Sequence, residues 1–311
     1  MSLYAEEHAL ELEYFVVDVF TETALKGNPL AVVMNAADLT TEQMQSIARE
    51  FNLSETTFIQ RREPALEQKE GVRVRIFTTL EELPFAGHPT LGTASVLKLQ
   101  APKTVLDQTV KLALNVGPVP VRFRSQSGES AGLFGEMTQR DPEFGEELDR
   151  DEVARLTGLI AEELDPWLPP QVVSTGTPFA IVPLRSAQSL AGLRVSQQEA
   201  TAWLRERGSR WFYVLGPTAA KHGGQAPTWL ARMQFNGGED PATGSAAGCA
   251  ISYLVQQGAV PPGERIHLRQ GVEIGRPSDL FLSAQFHSGT VTDVRVGGST
   301  VLVAKGQLFL K

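Results

Sequence analysis

One cysteine in 311 residues, Cys249, leaves nothing for an internal disulfide to pair with and fits a reducing compartment. No apolar run approaches the ~20 residues that a membrane-spanning helix needs, so no membrane association is expected. The opening residues hold no basic segment followed by an apolar stretch; a secretory leader is therefore not expected, and the cytoplasm is the expected location. Positive charge is also short. With 28 Lys and Arg against 36 Asp and Glu, the chain carries a net charge of −8 and no basic cluster, which argues against nucleic acid as a partner. The five histidines, His8, His88, His222, His267 and His287, show no metal-ligand spacing. A Gly-x-Ser-x-Gly elbow and a phosphate-binding loop are missing too. What remains is an ordinary globular composition, 42% hydrophobic and 21% charged, long enough for two domains of ~150 residues each.

The most informative stretch is Gly238-Glu239-Asp240-Pro241-Ala242-Thr243-Gly244-Ser245-Ala246-Ala247, which reads as the start of a buried helix. Asp240 suits the N-cap, Pro241 the first helical position and Gly258 the C-terminal stop. The segment has almost no charged face, so protein should enclose it. An echo lies in the other half of the chain. In Phe85-Ala86-Gly87-His88-Pro89-Thr90-Leu91-Gly92-Thr93-Ala94, His88-Pro89 matches Asp240-Pro241 and Gly92-Thr93-Ala94 matches Gly244-Ser245-Ala246. Two such helices, one in each half with their N-termini on a shared cleft, describe a duplicated architecture. Free amides at a helix start suit a carboxylate or phosphate.

Between these helices the patterns favour strands. Strands are expected at residues 14–20, 30–34, 56–59, 72–77, 110–114 and 119–123. Thr40 and Gln43 form a capping-box spacing for a helix ending near Glu50. The polar, acidic segment from Ser125 to about Arg150 reads as the boundary, separating an N-terminal half (14–125, joined by the last strand near 300–311) from a C-terminal half (126–299). A short helix is expected at 152–156 and another at 196–206. Further strands are expected at 179–182, 211–215, 230–235, 266–270, 280–285, 291–296 and 301–303. Many strands with one hydrophobic helix per half argue α+β rather than doubly wound α/β.

Several segments, in this order, resemble the PhzF-like phenazine-biosynthesis family, which shares its fold with diaminopimelate epimerase. They are Asp18-Val19-Phe20, Gly27-Asn28-Pro29-Leu30, Asn52-Leu53-Ser54-Glu55-Thr56-Thr57-Phe58, Arg75-Ile76-Phe77-Thr78 and Pro84-Phe85-Ala86-Gly87-His88-Pro89-Thr90. Gly176-Thr177-Pro178, Glu239-Asp240-Pro241-Ala242-Thr243-Gly244-Ser245 and Gln270-Gly271 with Gly275-Arg276-Pro277-Ser278 complete the series. The resemblance implies two pseudo-symmetric domains, each a curled, mostly antiparallel sheet or barrel around a central helix, with the active site between them. It implies isomerisation without metal or cofactor on a small carboxylate-bearing substrate, with Glu55 as general acid/base. His88 and Asp240 match further catalytic positions and Ser245 a substrate-binding one, while amides around Gly87 and Gly244 would cradle the carboxylate. Relatives of this kind are often homodimers. The chain departs from the pattern at Thr79, where proline is usual, and at Asn236-Gly237-Gly238, where the loop is shorter.

Moving a proton within a small acid calls for an acid/base with a pKa near neutrality, a grip on the carboxylate, and exclusion of water. Taken alone, most of these residues also have a plainer role. Glu55 reads equally as a surface turn residue, Asp240 as a helix cap, His88 as a backbone-bonding group and Ser245 as a helix hydroxyl. Gly87 and Gly244 read as packing glycines, and Gln270 and Gly271 either line the cleft or turn between strands. A two-thiol racemase is disfavoured because Cys249 is alone and two turns inside its helix, where it reads as a small apolar residue. A binding protein that kept the fold without turnover, and a racemase using carboxylic acid/base groups, are the alternatives.

Overall fold

The computed structural model describes residues 10–100, 108–124, 132–219, 228–235 and 237–310. Strand β1 (Leu10–Val19) pairs antiparallel with β2 (Asn28–Val33), and helix α1 (Thr41–Phe51) crosses over to β3 (Glu55–Gln60), which runs parallel to β2. The α1 start is the expected capping box, Thr40 accepting from the Gln43 amide and Gln43 accepting from the Thr40 amide. After α2 (Pro64–Glu70), β4 (Val72–Phe77) returns antiparallel to β3, and β5 (Glu82–Leu83) pairs at its end. Helix α3 (Gly87–Gln100) crosses to β6 (Thr109–Leu114), parallel to β4, and β7 (Gly117–Phe123) and β8 (Leu133–Thr138) follow antiparallel.

The chain then passes through β9 (Glu143–Glu147) and α4 (Arg150–Thr157) and repeats the plan. Strand β10 (Gln171–Ser174) pairs antiparallel with β11 (Pro178–Pro183), and α5 (Gln197–Arg205) crosses to β12 (Phe212–Pro217), parallel to β11. Strand β13 (Trp229–Arg232) returns antiparallel to β12, a short hairpin of β14 (Gln234–Phe235) and β15 (Gly238–Glu239) follows, and α6 (Gly244–Gln256) crosses to β16 (Ile266–Gln270), parallel to β13. Strands β17 (Ser278–His287) and β18 (Thr290–Leu310) finish antiparallel. Each half thus places its two parallel pairs around crossover helices in the same order, which is the duplication the two helix motifs suggested.

Strand β18 serves both halves. It pairs with β8 at 295–300 and with β1 at 300–310, closing an eight-stranded barrel, β1-β2-β3-β4-β6-β7-β8-β18, around α3. From its other edge the series β18-β17-β16-β13-β12-β11-β10-β9 curls around α6. The fold is α+β, with two pseudo-symmetric halves. Both central helices are enclosed: Gly87 to Val96 of α3 and Gly244 to Val255 of α6 are buried. Helices that lack a polar face for so many residues can exist only inside a ring of strands, and the glycines, alanines and hydroxyls let strands approach them closely. No helix among the described residues is long and apolar enough to cross a membrane.

Three expectations need correction. The segment 125–150 is not simply a polar connection: residues 125–131 lie outside the described set, but β8 and β9 follow, and β8 ladders with β7 and β18 in the first barrel. Its sequence, Leu133-Phe134-Gly135-Glu136-Met137-Thr138, hides the strand because a glycine stands at one of its two buried positions and a glutamate at a half-exposed one, which leaves little local strand signal. The expected strands at 291–296 and 301–303 are one continuous strand, since Gly297 and Gly298 pass beneath Phe134 and Phe20 without breaking the ladder. Helix α6 begins at Gly244 rather than near Asp240, with Thr243 at the cap and no side-chain cap bond. Its end is as expected: Gly258 has φ +70° and its amide donates to the Val255 carbonyl.

Candidate active site

The starts of α3 and α6 meet backbone to backbone. A Cβ on Gly87 would lie 2.5 Å from the Gly244 carbonyl carbon and the Ser245 nitrogen, so only glycine permits this contact. Thr90 donates to the Ala86 carbonyl and Ala247 to the Thr243 carbonyl, the first intrahelical bonds at each start. The amides before them, including those of Gly87, Gly244, Ser245 and Ala246, have no acceptor within their own helices. Two partial positive charges therefore converge at one place between the halves.

Beside this junction opens a narrow, partly enclosed cleft. Glu55, Asp240, Thr243 and Ser245 form its polar part, and Phe85, Phe179, Trp211, Met233 and Phe235 its apolar walls. The cleft draws on both halves, with Thr177 donating to the Phe85 carbonyl across it at 3.2 Å. A few polar groups set among aromatic walls suit a small organic molecule.

Glu55 is the first residue of β3 and only 9% exposed. Its Oε2 atom is buried and has no hydrogen-bond partner. Nε2 of His88 is in the same condition and lies 3.4 Å from it, just beyond a made hydrogen bond. Burial, and then the nearby Asp240 charge, push the Glu55 carboxyl well above the usual carboxylate range. Burial alone lowers the His88 imidazole to about 3, so the ring is neutral.

Asp240 differs from Glu55 in having donors. Its Oδ2 accepts from the Thr243 hydroxyl at 2.7 Å and its Oδ1 from Asn28 Nδ2 at 2.8 Å. Burial raises its pKa to about 7, against the lowering effect of these two donors and the Ala242 amide. Of the two neighbouring carboxyls, the one with donors keeps its charge more readily and the one without them holds the proton.

Asn28 is the residue that the sequence reading left out of the site. Wholly buried at the start of β2, its Nδ2 donates to Asp240 Oδ1 and to the Ala242 carbonyl, each at 2.8 Å, and stands 3.1 Å from His88 Nδ1. Since Nδ2 must face two acceptors as a donor, His88 Nδ1 presents its lone pair and the ring proton sits on Nε2, toward Glu55. One amide thus ties together the first turns of both halves. Asn28 is itself fixed by a buckle between the halves: Arg276 donates to Asp18 Oδ1 at 2.6 Å and to the Gly27 carbonyl at 2.8 Å, and the Gly27 amide donates to the Pro277 carbonyl at 3.1 Å. The motif Gly27-Asn28-Pro29 carried a signal, but it reads locally as turn chemistry, and only its partner some 250 positions away gives it a further role.

The sequence-expected residues Glu55, His88, Asp240, Gly87, Gly244 and Ser245 come together here. Gln270 and Gly271 do not line the cleft. Gln270 is fully buried behind the Asp240 turn, and Gly271 packs against Pro241 at the same place. Cys249 is buried, its thiol raised to about 11 by burial, and sits against Thr175 and the Thr177 carbonyl. Among the described residues no three His, Cys, Asp or Glu side chains gather as a metal site. The hairpin at the shortened loop pairs Phe235 with Gly238 and Gln234 with Glu239, which sets Phe235 on the cleft wall; Asn236 lies outside the described residues.

A family model described as phenazine biosynthesis-like protein matches residues 17–306. The chain is 35% identical to an uncharacterized isomerase of Mesorhizobium japonicum, covering 96% of this chain and 98% of the relative. It is 34% identical to the trans-2,3-dihydro-3-hydroxyanthranilate isomerase of Pseudomonas aeruginosa, covering 96% and 99%. Among solved structures it is similar to a predicted epimerase from Pseudomonas aeruginosa, with a TM-score of 0.79, 35% identity, and coverage of 96% and 99%.

Proposed function

The chain belongs to the phenazine biosynthesis-like protein family and is an isomerase; from that premise we propose that it moves a proton, and with it a double bond, within a small carboxylate-bearing molecule, using Glu55 as acid and base with no cofactor taking part. The observation that carries this reading is the state of the Glu55 carboxyl. It is desolvated, has a buried oxygen without a hydrogen-bond partner, and belongs to a residue that lines the cleft beside the junction of two helix starts.

In this reading the amides at Gly87, Gly244 and Ser245 hold the substrate carboxylate, and the ring lies between Phe85, Phe179, Trp211 and Phe235. Glu55, in its ionised form, takes the proton of an activated C–H bond. The electron pair of that bond becomes part of a new double bond as the old one shifts along the ring. The carbon at the far end then takes the proton from the Glu55 carboxylic acid, and the product is an isomer with nothing oxidised or reduced. His88 offers its Nε2 proton to a substrate oxygen, and Asp240, held by Asn28 and Thr243, stays charged and orients a substrate donor.

The test is deuterium uptake. Trans-2,3-dihydro-3-hydroxyanthranilate, the compound named for the Pseudomonas relative, and a panel of small cyclic and amino acids are incubated in deuterium oxide with the protein and with Glu55→Gln, and the carbon-bound label is followed by NMR. The reading expects label in at least one compound with the unaltered protein and none with the variant. Uptake that survives in Glu55→Gln, or binding without any uptake across the panel, would overturn it.

A further inference from the structure

Gln270 is a fully engaged interior side chain, and nothing so far gives it a part in the chemistry. It ends β16, is 0% exposed, and uses all four hydrogen-bonding positions of its amide. Its Oε1 accepts from the Tyr213 hydroxyl and from the Thr243 amide, each at 3.0 Å. Its Nε2 donates to the Asp240 carbonyl at 2.8 Å and to the Thr243 hydroxyl oxygen at 2.9 Å. In the turn Asp240-Pro241-Ala242-Thr243 the first carbonyl and the last amide would ordinarily bond to each other. Here the Gln270 amide stands between them and bonds to both. Gly271, at φ +74°, completes the seat, since a Cβ there would lie 2.6 Å from the Pro241 carbonyl oxygen.

The consequence reaches Asp240. The Thr243 hydroxyl has one proton and two acceptors in reach, Asp240 Oδ2 at 2.7 Å and Met233 Sδ at 3.1 Å. With a Gln270 N–H occupying one lone pair of that oxygen, the hydroxyl is fixed in place and its proton goes to the stronger acceptor, the carboxylate. We propose that Gln270 is a positioning residue, which acts through Thr243 to hold the Asp240 carboxylate in its place and in its charged form. The inference deepens the proposed function, on which its catalytic meaning rests.

The other groups facing Asp240 are Glu55 from β3, His88 from α3, Asn28 from β2, Glu239 from β15 and Tyr213 from β12. Glu239 is itself paired with Arg232 at 2.6 Å, and Glu273 stands 3.8 Å from the same arginine. None of these contacts is removed by altering Gln270 or Thr243 alone, Tyr213 losing only its bond to Gln270.

The experiment titrates Asp240 directly, without turnover. Protein carrying carbon-13 at the aspartate carboxyl is followed by NMR against pH, with Asp240→Asn identifying the resonance. Removing a donor from a charged acceptor raises its midpoint, here by about one to two pH units in Thr243→Val, and Gln270→Met, which frees the Thr243 hydroxyl to turn toward Met233, raises it in the same direction. Thr243→Ser, which keeps the hydroxyl, returns the midpoint to that of the unaltered protein. The unaltered protein supplies a second measurement that folding of the variants cannot obscure: the Gln270 side-chain amide signals should move with the same midpoint as Asp240. An Asp240 midpoint unmoved in folded Thr243→Val and Gln270→Met, or a Gln270 amide indifferent to the titration, would overturn the proposal. Failure of the deuterium test with the midpoint shift intact would overturn the isomerisation reading instead.

Discussion

Alanine at position 87 would place a methyl carbon 2.5 Å from the Gly244 carbonyl carbon and the Ser245 nitrogen. Ordinary contact begins near 3.4 Å, so the two helix starts must separate by about 0.9 Å, and both obstacles are backbone rather than a side chain that could swing away. Two effects follow, with different magnitudes. Overpacking of this kind costs roughly 1–3 kcal/mol, which lowers Tm by roughly 2–5 °C in a chain of this size. The amides that would grip the carboxylate move apart by nearly the same 0.9 Å, and a displacement of ~1 Å at a reacting centre costs on the order of 100-fold in rate. Gly244→Ala is the internal control. Its Cβ would meet the Phe20 ring at 3.0 Å and Gly87 backbone at 3.2 Å, so relief of a few tenths of an ångström suffices and the loss of kcat/KM should stay within about tenfold. Thermal melting and deuterium uptake into the substrate measure the two effects separately. A Gly87→Ala protein that melts lower yet exchanges within threefold of the unaltered enzyme would show that the junction of the helices is packing and not a carboxylate site. Greater damage from Gly244→Ala than from Gly87→Ala would refute the geometric argument itself.

Other outcomes follow from the same geometry. Because Glu55 must be ionised to take a proton and burial raises its pKa, kcat/KM should climb about tenfold per pH unit below its midpoint and level off above it, as a pH–rate profile will show. The same raised pKa means that the folded state holds a proton which the unfolded chain releases above its ordinary value of 4.5. Stability contributed by the protonated group therefore falls as pH rises toward the folded midpoint, and Glu55→Gln should gain stability over the unaltered protein across that window, measured by urea unfolding at several pH values. Asn28→Ala removes the donor from Asp240 Oδ1 and the Ala242 carbonyl together and should cost about 3 kcal/mol by urea unfolding, with loss of exchange even where the protein still folds. Cys249→Ala should keep its deuterium uptake within about twofold, since the buried thiol's hydrogen-bond partners are Thr175 and the Thr177 carbonyl, away from the cleft acids; abolished uptake would return thiol chemistry to consideration.

How much was legible beforehand differs by the range of the interaction. Hydrophobic patterning marked most of the longer strands but not β8, β9 or β10, because a barrel strand must alternate its faces, as β17 does along most of its length. Both central helices could be seen because neither has a charged face to give to water. Strand β8 escaped because its middle residues are Gly135 and Glu136, which read as loop until the neighbouring β7 and β18 are in place. The cap at Asp240 was also misjudged. A carboxylate before a proline satisfies every local rule for a helix start, yet Asn28 and Thr243 compete for it, and the helix begins four residues later, at Gly244.

From its residues alone the chain determined what short-range chemistry dictates: its α+β class, the duplicated helix starts, and a set of candidate groups that includes Glu55, His88 and Asp240. Only the tertiary structure decided which of those groups lack partners and which are tied down. Glu55 and Asp240 are both acids in short polar motifs, and no local pattern separates a carboxyl without side-chain donors from one with two. That difference comes from Asn28, Thr243 and Gln270, which converge on Asp240 and leave Glu55 alone. Residues more than two hundred positions apart meet only when the shared strand β18 brings the two halves face to face, because hydrogen bonds and desolvation act over a few ångströms of space and not along the chain.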